Sequence, residues 1–255
     1  MKEKLLGYEM VASSAPEFFD MLTAEIFNLT TKKAQKPKWL ACINPHSYAS
    51  AKYDTQFSMA LSNADWLVPD GIGVVLASRV LGGSLRERIT GSDVFSALHY
   101  RMNKMGGLRV FFLGSNKDTL SLIVSRMAVD YPNIHVAGTY SPSFKSTWTS
   151  DELNAMINII NKSRPDVLWV GMTAPKQEKW INENLCRLEV RFAAAIGAVF
   201  DFYSGKVKRS HPIFQRLGLE WLPRLLQQPR RLWRRMFMSA PVFLWDVMKE
   251  RVERK

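Results

Sequence analysis

The sequence predicts an α/β protein: a largely parallel sheet with flanking helices, followed by a basic, helical C-terminal appendage. Three observations carry that expectation. Short apolar runs alternate with helix-like stretches of 10–16 residues over the first two hundred positions, the pattern of βα units around a parallel sheet. After Gly205 only helix-like segments follow, punctuated by Pro212, Pro223, Pro229 and Pro241. The charge divides at the same place. Residues 206–255 hold 13 Lys and Arg against 4 Asp and Glu, a balance of +9 within the whole chain's +12.

Taken in order, each expected strand is an apolar run closed by turn residues. Gly7–Ala12 comes first, then Trp39–Ile43, which stops at Asn44-Pro45-His46. Trp66–Val68 stops at Pro69-Asp70-Gly71, and Arg109–Leu113 at Gly114-Ser115. Ile134–Gly138 follows, then Val167–Val170 closed by Gly171-Met172-Thr173, and Arg191–Ile196 closed by Gly197-Ala198. Helices are expected between them, over Pro16–Leu29, Ser47–Ser62, Ile72–Leu81, Asp93–Met105, Lys117–Asp130, Asp151–Lys162 and Pro175–Leu185. The division falls near Ser204–Ser210, giving a catalytic body over 1–205 and an appendage over 206–255.

A chain of 255 residues, 47% hydrophobic and 23% charged, buries an ordinary core and excludes collagen-like, disordered and disulfide-stapled classes. Cys42 and Cys186 stand 144 positions apart, which suits a reducing compartment better than a disulfide framework. No run approaches the ~20 apolar residues of a membrane span, and the N-terminus lacks a signal peptide's apolar region. The expected location is the cytosol or the cytosolic side of a membrane. A near-neutral body with a strongly basic tail points to an anionic partner.

In open α/β sheets, ligands collect at the carboxyl ends of the strands, so the chemistry is sought there. Asp70-Gly71-Ile72-Gly73 opens an apolar helix. Leu76 replaces the third glycine of a dinucleotide fingerprint, which argues against that reading. Asp70 therefore reads as a helix N-cap or as a carboxylate able to take a proton from a substrate hydroxyl. In Arg88-Ile89-Thr90-Gly91-Ser92-Asp93, Thr90 or Ser92 caps the next helix, or Arg88, Thr90 and Gly91 cradle a diphosphate. In Pro175-Lys176-Gln177-Glu178, solvation accounts for Lys176 and Glu178. Gln177 has an amide that both donates and accepts toward a sugar or base. The four histidines show no metal-ligand spacing, the cysteines do not cluster, and no D-x-D pair occurs. P-loop and nucleophile-elbow motifs are missing too, which argues against ATPase and hydrolase activity. In the tail, Arg interleaved with Trp, Leu, Met and Phe suits anionic headgroups, nucleic acid, or an amphipathic helix packed on the body.

Together and in this order, these segments resemble the WecG/TagA/CpsF family of bacterial glycosyltransferases. The resemblance rests on Ile43-Asn44, Asp70-Gly71-Ile72, Arg88 to Asp93, Val110 to Gly114, Pro175-Lys176-Gln177-Glu178, Phe200 to Arg209, and Gly218-Leu219-Glu220-Trp221 with Arg224-Leu225 and Pro229. It implies a Rossmann-like fold and a metal-independent, inverting transfer from a UDP-sugar to a polyprenyl-diphosphate-linked saccharide. The implied setting is the cytoplasmic membrane face, in cell-surface polysaccharide or teichoic acid synthesis. It further implies Asp70 as the base, Asn44 and Gln177 as substrate-positioning residues, and tail arginines at the active site, namely Arg224, Arg231 and Arg234. No cofactor and no nucleic-acid partner are expected, an anionic membrane surface is, and a homo-oligomer is compatible with the reading. Two departures stand out: Thr173-Ala174 replaces a small pair before Pro175, which bears on donor choice, and Pro223 replaces a frequent aromatic residue. The competing classes are a Rossmann-like NAD-dependent oxidoreductase and a basic nucleic-acid-binding module.

Overall fold

The unbroken apolar runs become strands buried on both faces, as helix-covered parallel strands must be. The computed structural model describes residues 1–27, 36–145, 147–207 and 229–254, without the side chains of 229–237. Its strands are β1 (Lys2–Leu5), β2 (Tyr8–Val11), β3 (Lys38–Ile43), β4 (Trp66–Pro69), β5 (Arg109–Gly114), β6 (His135–Tyr140), β7 (Val167–Gly171) and β8 (Phe192–Ala195). The helices are α1 (Ala15–Phe27), α2 (Pro45–Ala51), α3 (Thr55–Asn63), α4 (Ile72–Val80), α5 (Gly91–Met105), α6 (Lys117–Asp130), α7 (Ser150–Ser163), α8 (Lys176–Asn184), α9 (Val199–Tyr203) and α10 (Pro229–Glu253). The sheet order is β4-β3-β8-β7-β5-β6. The pairings β3–β8, β8–β7, β7–β5 and β5–β6 are all parallel. The expected α/β class with a parallel sheet and a C-terminal helix is therefore the observed one.

The chain forms two compact units. The one spanning Pro16–Ala41 and Gly91–Val207 holds β5 to β8 and helices α5 to α9. Its core is heavily aromatic: Trp39, Phe95, Phe111, Phe112, Trp169, Phe192 and Phe200 are fully buried. His99 lies among them, its ring centroid 4.0 Å from Phe95 and 5.1 Å from Trp169. Side chains cap α6 and α7 from Asn116 and Thr149, the latter in a capping box with Glu152.

The other unit contains Met1–Ala15, Cys42–Thr90 and helix α10. Here the structure corrects three expectations. The run Gly7–Ala12 is half of an antiparallel hairpin, β1–β2, and is not part of the parallel sheet. Its two-residue turn, Leu6-Gly7, has positive φ at both positions, the hand that matches strand twist. The polar β1 segment Lys-Glu-Lys-Leu gave no strand signal. The expected helix Ser47–Ser62 is two helices, because the Asp54 side chain accepts from Phe57 N and starts α3 afresh. Finally, α10 runs through Pro241. Pro212 and Pro223 lie outside the described residues. Proline removes one backbone donor, and packing offsets that loss. Ser239, Phe243 and Val247, spaced by four, are buried where α10 packs on α2 and α4. Phe243 meets Tyr48 edge-on at 5.5 Å. Asp246 accepts from Tyr48 Oη at 2.9 Å and Lys52 Nζ at 2.7 Å.

Candidate functional site

In the unit that holds α10, strand ends β3 and β4 bring Asn44 and Asp70 side by side. Asp70 N donates to Ile43 O at 2.8 Å, tying the two ends together. Asn44 caps α2: its Oδ1 accepts from His46 N and Ser47 N, both at 3.0 Å, while Asn44 N donates to Ser47 Oγ. That use of Oδ1 leaves Nδ2, at the other end of the planar amide, as the donor for a ligand. The N-cap of α4 is Gly71, not Asp70, and Gly71 has no side chain to cap with. Gly71 sits at φ 134°, a backbone state that L side chains rarely adopt. A Cβ on Gly73 would fall 2.9 Å from Pro45 Cγ, so glycine lets the start of α4 lie against the start of α2. Ile89 N donates to Pro69 O at 3.0 Å and fastens the Arg88-Ile89-Thr90 segment to the end of β4. Thr90 is buried and Arg88 half-buried.

In the aromatic unit, Gln177 forms a second constellation. It is 4% exposed. Its Oε1 accepts from Met172 N at 3.1 Å and Gly197 N at 3.0 Å, joining the loops that follow β7 and β8. Its Nε2 donates to Glu178 Oε1 at 2.9 Å. Both acceptor positions of Oε1 are used, and one amide N–H remains for a ligand. Gly91, the first residue of α5, packs beside the same loops: a Cβ there would lie 3.3 Å from Val199 Cγ2 and 3.4 Å from Ile196 O. The N-cap of α8 is Pro175, which makes no side-chain cap hydrogen bond.

Glu178 overturns its expected place in solvent. It is 3% exposed, and burial, the largest influence, pushes its carboxyl up to about 7 against the hydrogen bond from Gln177. Its Oε2 is buried without a hydrogen-bond partner. The signal was in the spacing: Gln177, Glu178, Ile181 and Asn184 are all buried and follow one helical face.

Arg224 lies outside the described residues, as do the side chains of Arg231 and Arg234 and the segment holding Pro223. Thr173 is exposed. Among the described residues, no three His, Cys, Asp or Glu side chains gather to hold a metal ion. None of the described helices is long and apolar enough to cross a membrane.

The family model described as the glycosyl transferase WecG/TagA/CpsF family matches residues 4–255. The chain is 35% identical over 216 residues to a Bacillus subtilis (strain 168) protein, covering 85% of this chain and 81% of that one. That relative is named N-acetylglucosaminyldiphosphoundecaprenol N-acetyl-beta-D-mannosaminyltransferase. Proteins of the same name from Bacillus spizizenii and Staphylococcus aureus are 34% and 27% identical. The matches cover 89% and 83% of this chain, and 86% and 80% of theirs.

Proposed function

Because this chain belongs to the WecG/TagA/CpsF family and is a glycosyltransferase, we propose that it moves N-acetylmannosamine from a UDP donor to an N-acetylglucosaminyl-diphosphopolyprenol. The donor and acceptor follow from the relatives' names together with the family resemblance. The structural observation that carries the chemistry is the pairing of Asn44 and Asp70 at the ends of β3 and β4, where Asp70 N donates to Ile43 O. A β-linked product from an α-linked donor requires a single in-line displacement. The acceptor hydroxyl attacks the anomeric carbon, Asp70 takes its proton, and the bond to the β-phosphate oxygen breaks as UDP departs.

The leaving diphosphate needs positive charge and N–H donors. We assign that task to Arg88, Thr90 and the amide of Gly91, with Arg224, Arg231 and Arg234 contributing charge in place of a metal ion. Asn44 Nδ2 and the remaining N–H of Gln177 position substrate. The enzyme works as a peripheral protein on the cytoplasmic face of the plasma membrane. Residues 206–255 contribute both to docking on anionic lipid and to completing the site. Support for docking comes from the outer face of α10, where Leu244, Trp245, Met248 and Val252 are exposed beside Lys249 and Arg251.

The test is a panel of UDP-sugars with N-acetylglucosaminyl-diphosphopolyprenol as acceptor, scored for UDP release. UDP-N-acetylmannosamine is expected to give the highest acceptor-dependent rate, unchanged by excess EDTA. No acceptor-dependent release from any UDP-sugar would overturn the transfer reading. Loss with EDTA and recovery with Mg²⁺ or Mn²⁺ would overturn metal independence.

A further inference from the structure

The Gln177 amide has two ends with different jobs, and neighbours at both ends set which end points where. Oε1 receives N–H groups from the loops after β7 and β8, while Nε2 lies on Glu178 Oε1. An amide flipped by half a turn would set its NH₂ against two backbone N–H groups and its oxygen against a carboxyl oxygen. Both contacts are repulsive in that state when the carboxyl is ionised. Glu178 therefore supplies the acceptor that, together with the two backbone N–H groups, selects the observed orientation.

We propose that Glu178 is a positioning residue for glycosyl transfer: from its buried site on α8 it holds the Gln177 amide so that the Gly171-Met172 and Ile196-Gly197 loops keep their donor-binding form. The proposal rests on the reading that Gln177 contacts the UDP-sugar, and it adds the group that orients that contact. A buried carboxyl is costly to keep, and Glu178 retains one oxygen, Oε2, without a partner. An apolar side chain of similar size would remove the carboxyl's desolvation cost but leave Gln177 Nε2 without this acceptor. What the buried carboxyl supplies is an acceptor facing Gln177 Nε2.

The full-length enzyme is assayed with UDP-N-acetylmannosamine and the polyprenyl-linked acceptor for the wild type, Glu178→Leu, Glu178→Gln and Gln177→Ala. UDP binding is measured by calorimetry, and unfolding midpoints are recorded alongside. Glu178→Leu is expected to unfold no earlier than the wild type, yet to raise the donor KM about tenfold or more and weaken UDP binding in parallel. Its acceptor KM should stay unchanged. Glu178→Gln keeps an amide oxygen facing Gln177 Nε2 and is expected to hold the donor KM within about threefold. Gln177→Ala should show the donor defect of Glu178→Leu. Wild-type donor KM in a folded Glu178→Leu, with Gln177→Ala impaired, overturns the positioning role and leaves the Gln177 reading standing. Wild-type donor KM in Gln177→Ala overturns both. Should Glu178→Leu not fold, Glu178→Gln decides: a tenfold donor defect in a folded protein overturns the proposal.

Discussion

Asn44 is held by its Oδ1 cap on α2 and Asp70 is tied to Ile43 O through its main-chain N–H, so each can be altered in chemistry while those bonds are kept. Asp70→Asn preserves volume and the Asp70 N to Ile43 O bond, and it removes the carboxylate's charge and its ability to accept a proton. Turnover is expected to fall by ~10²–10⁴ while UDP binding stays within about threefold; turnover near the wild-type rate would move the base elsewhere. Asn44→Asp is the companion, because Asp caps helices as well as Asn does but lacks the Nδ2 donor. Unfolding should be unaffected and kcat/KM should drop about tenfold or more, in line with loss of a hydrogen bond to a charged substrate. Both residues were legible in the sequence, since a strand end followed by proline or glycine is written in adjacent letters. Glu178 was not. A glutamate beside a lysine at a helix start reads as solvated, and only its register with Ile181 and Asn184 tells otherwise.

At the scale of elements, what could be read depended on whether an element's signal was its own. Strands β5, β7 and β8 are unbroken apolar runs and announce a sheet covered on both faces. Strand β1 is polar and exists only by pairing with β2, so nothing local marks it. Helix α10 carries two signals on one sequence. Its inner face, through Ser239, Phe243 and Val247, belongs to the core of its unit. Removing residues 206–255 would therefore uncover the partners of Phe243 and Val247 on α2 and α4, where burial is worth ~1.5–3 kcal/mol per side chain. Point changes on the outer face make the sharper test of docking. Trp245 is 72% exposed and contributes no core packing. Trp245→Glu, alone and with Leu244→Ser, is expected to leave the unfolding midpoint within about 2 °C while reducing binding to anionic liposomes severalfold, because an acidic residue replaces an interfacial aromatic. Equal binding by the double variant would place docking on another surface.

At the scale of the molecule, two buried groups among the described residues tie stability to pH in opposite directions. His99 is fully buried, with Nδ1 donating to Phe95 O at 2.9 Å and Nε2 unpartnered. Burial, its largest influence, holds its pKa down to about 3 from an ordinary 6.5. As pH falls below 6.5 the unfolded chain binds a proton that the folded chain refuses, so stability is lost down to about pH 3. Glu178 works the other way. Its folded carboxyl titrates near 7 and its unfolded one near 4.5. Between those values the folded chain holds the extra proton, and stability falls as pH rises through the window before levelling off. Each effect has a limiting slope of about 1.4 kcal/mol per pH unit, or roughly 3–6 °C in the unfolding midpoint for a chain of this size. From pH 4.5 to 6.5 the two nearly cancel, so single variants expose what the native protein conceals. Relative to the wild type, Glu178→Gln should gain stability steadily from pH 4.5 to 7 and hold that gain above it. His99→Phe, which keeps a ring in the aromatic cluster and cannot charge, should gain as pH is lowered from 6.5 toward 4. Unfolding midpoints at half-unit pH steps read both trends. A pH-independent offset in either variant would show that the buried group does not change its protonation on unfolding over that range.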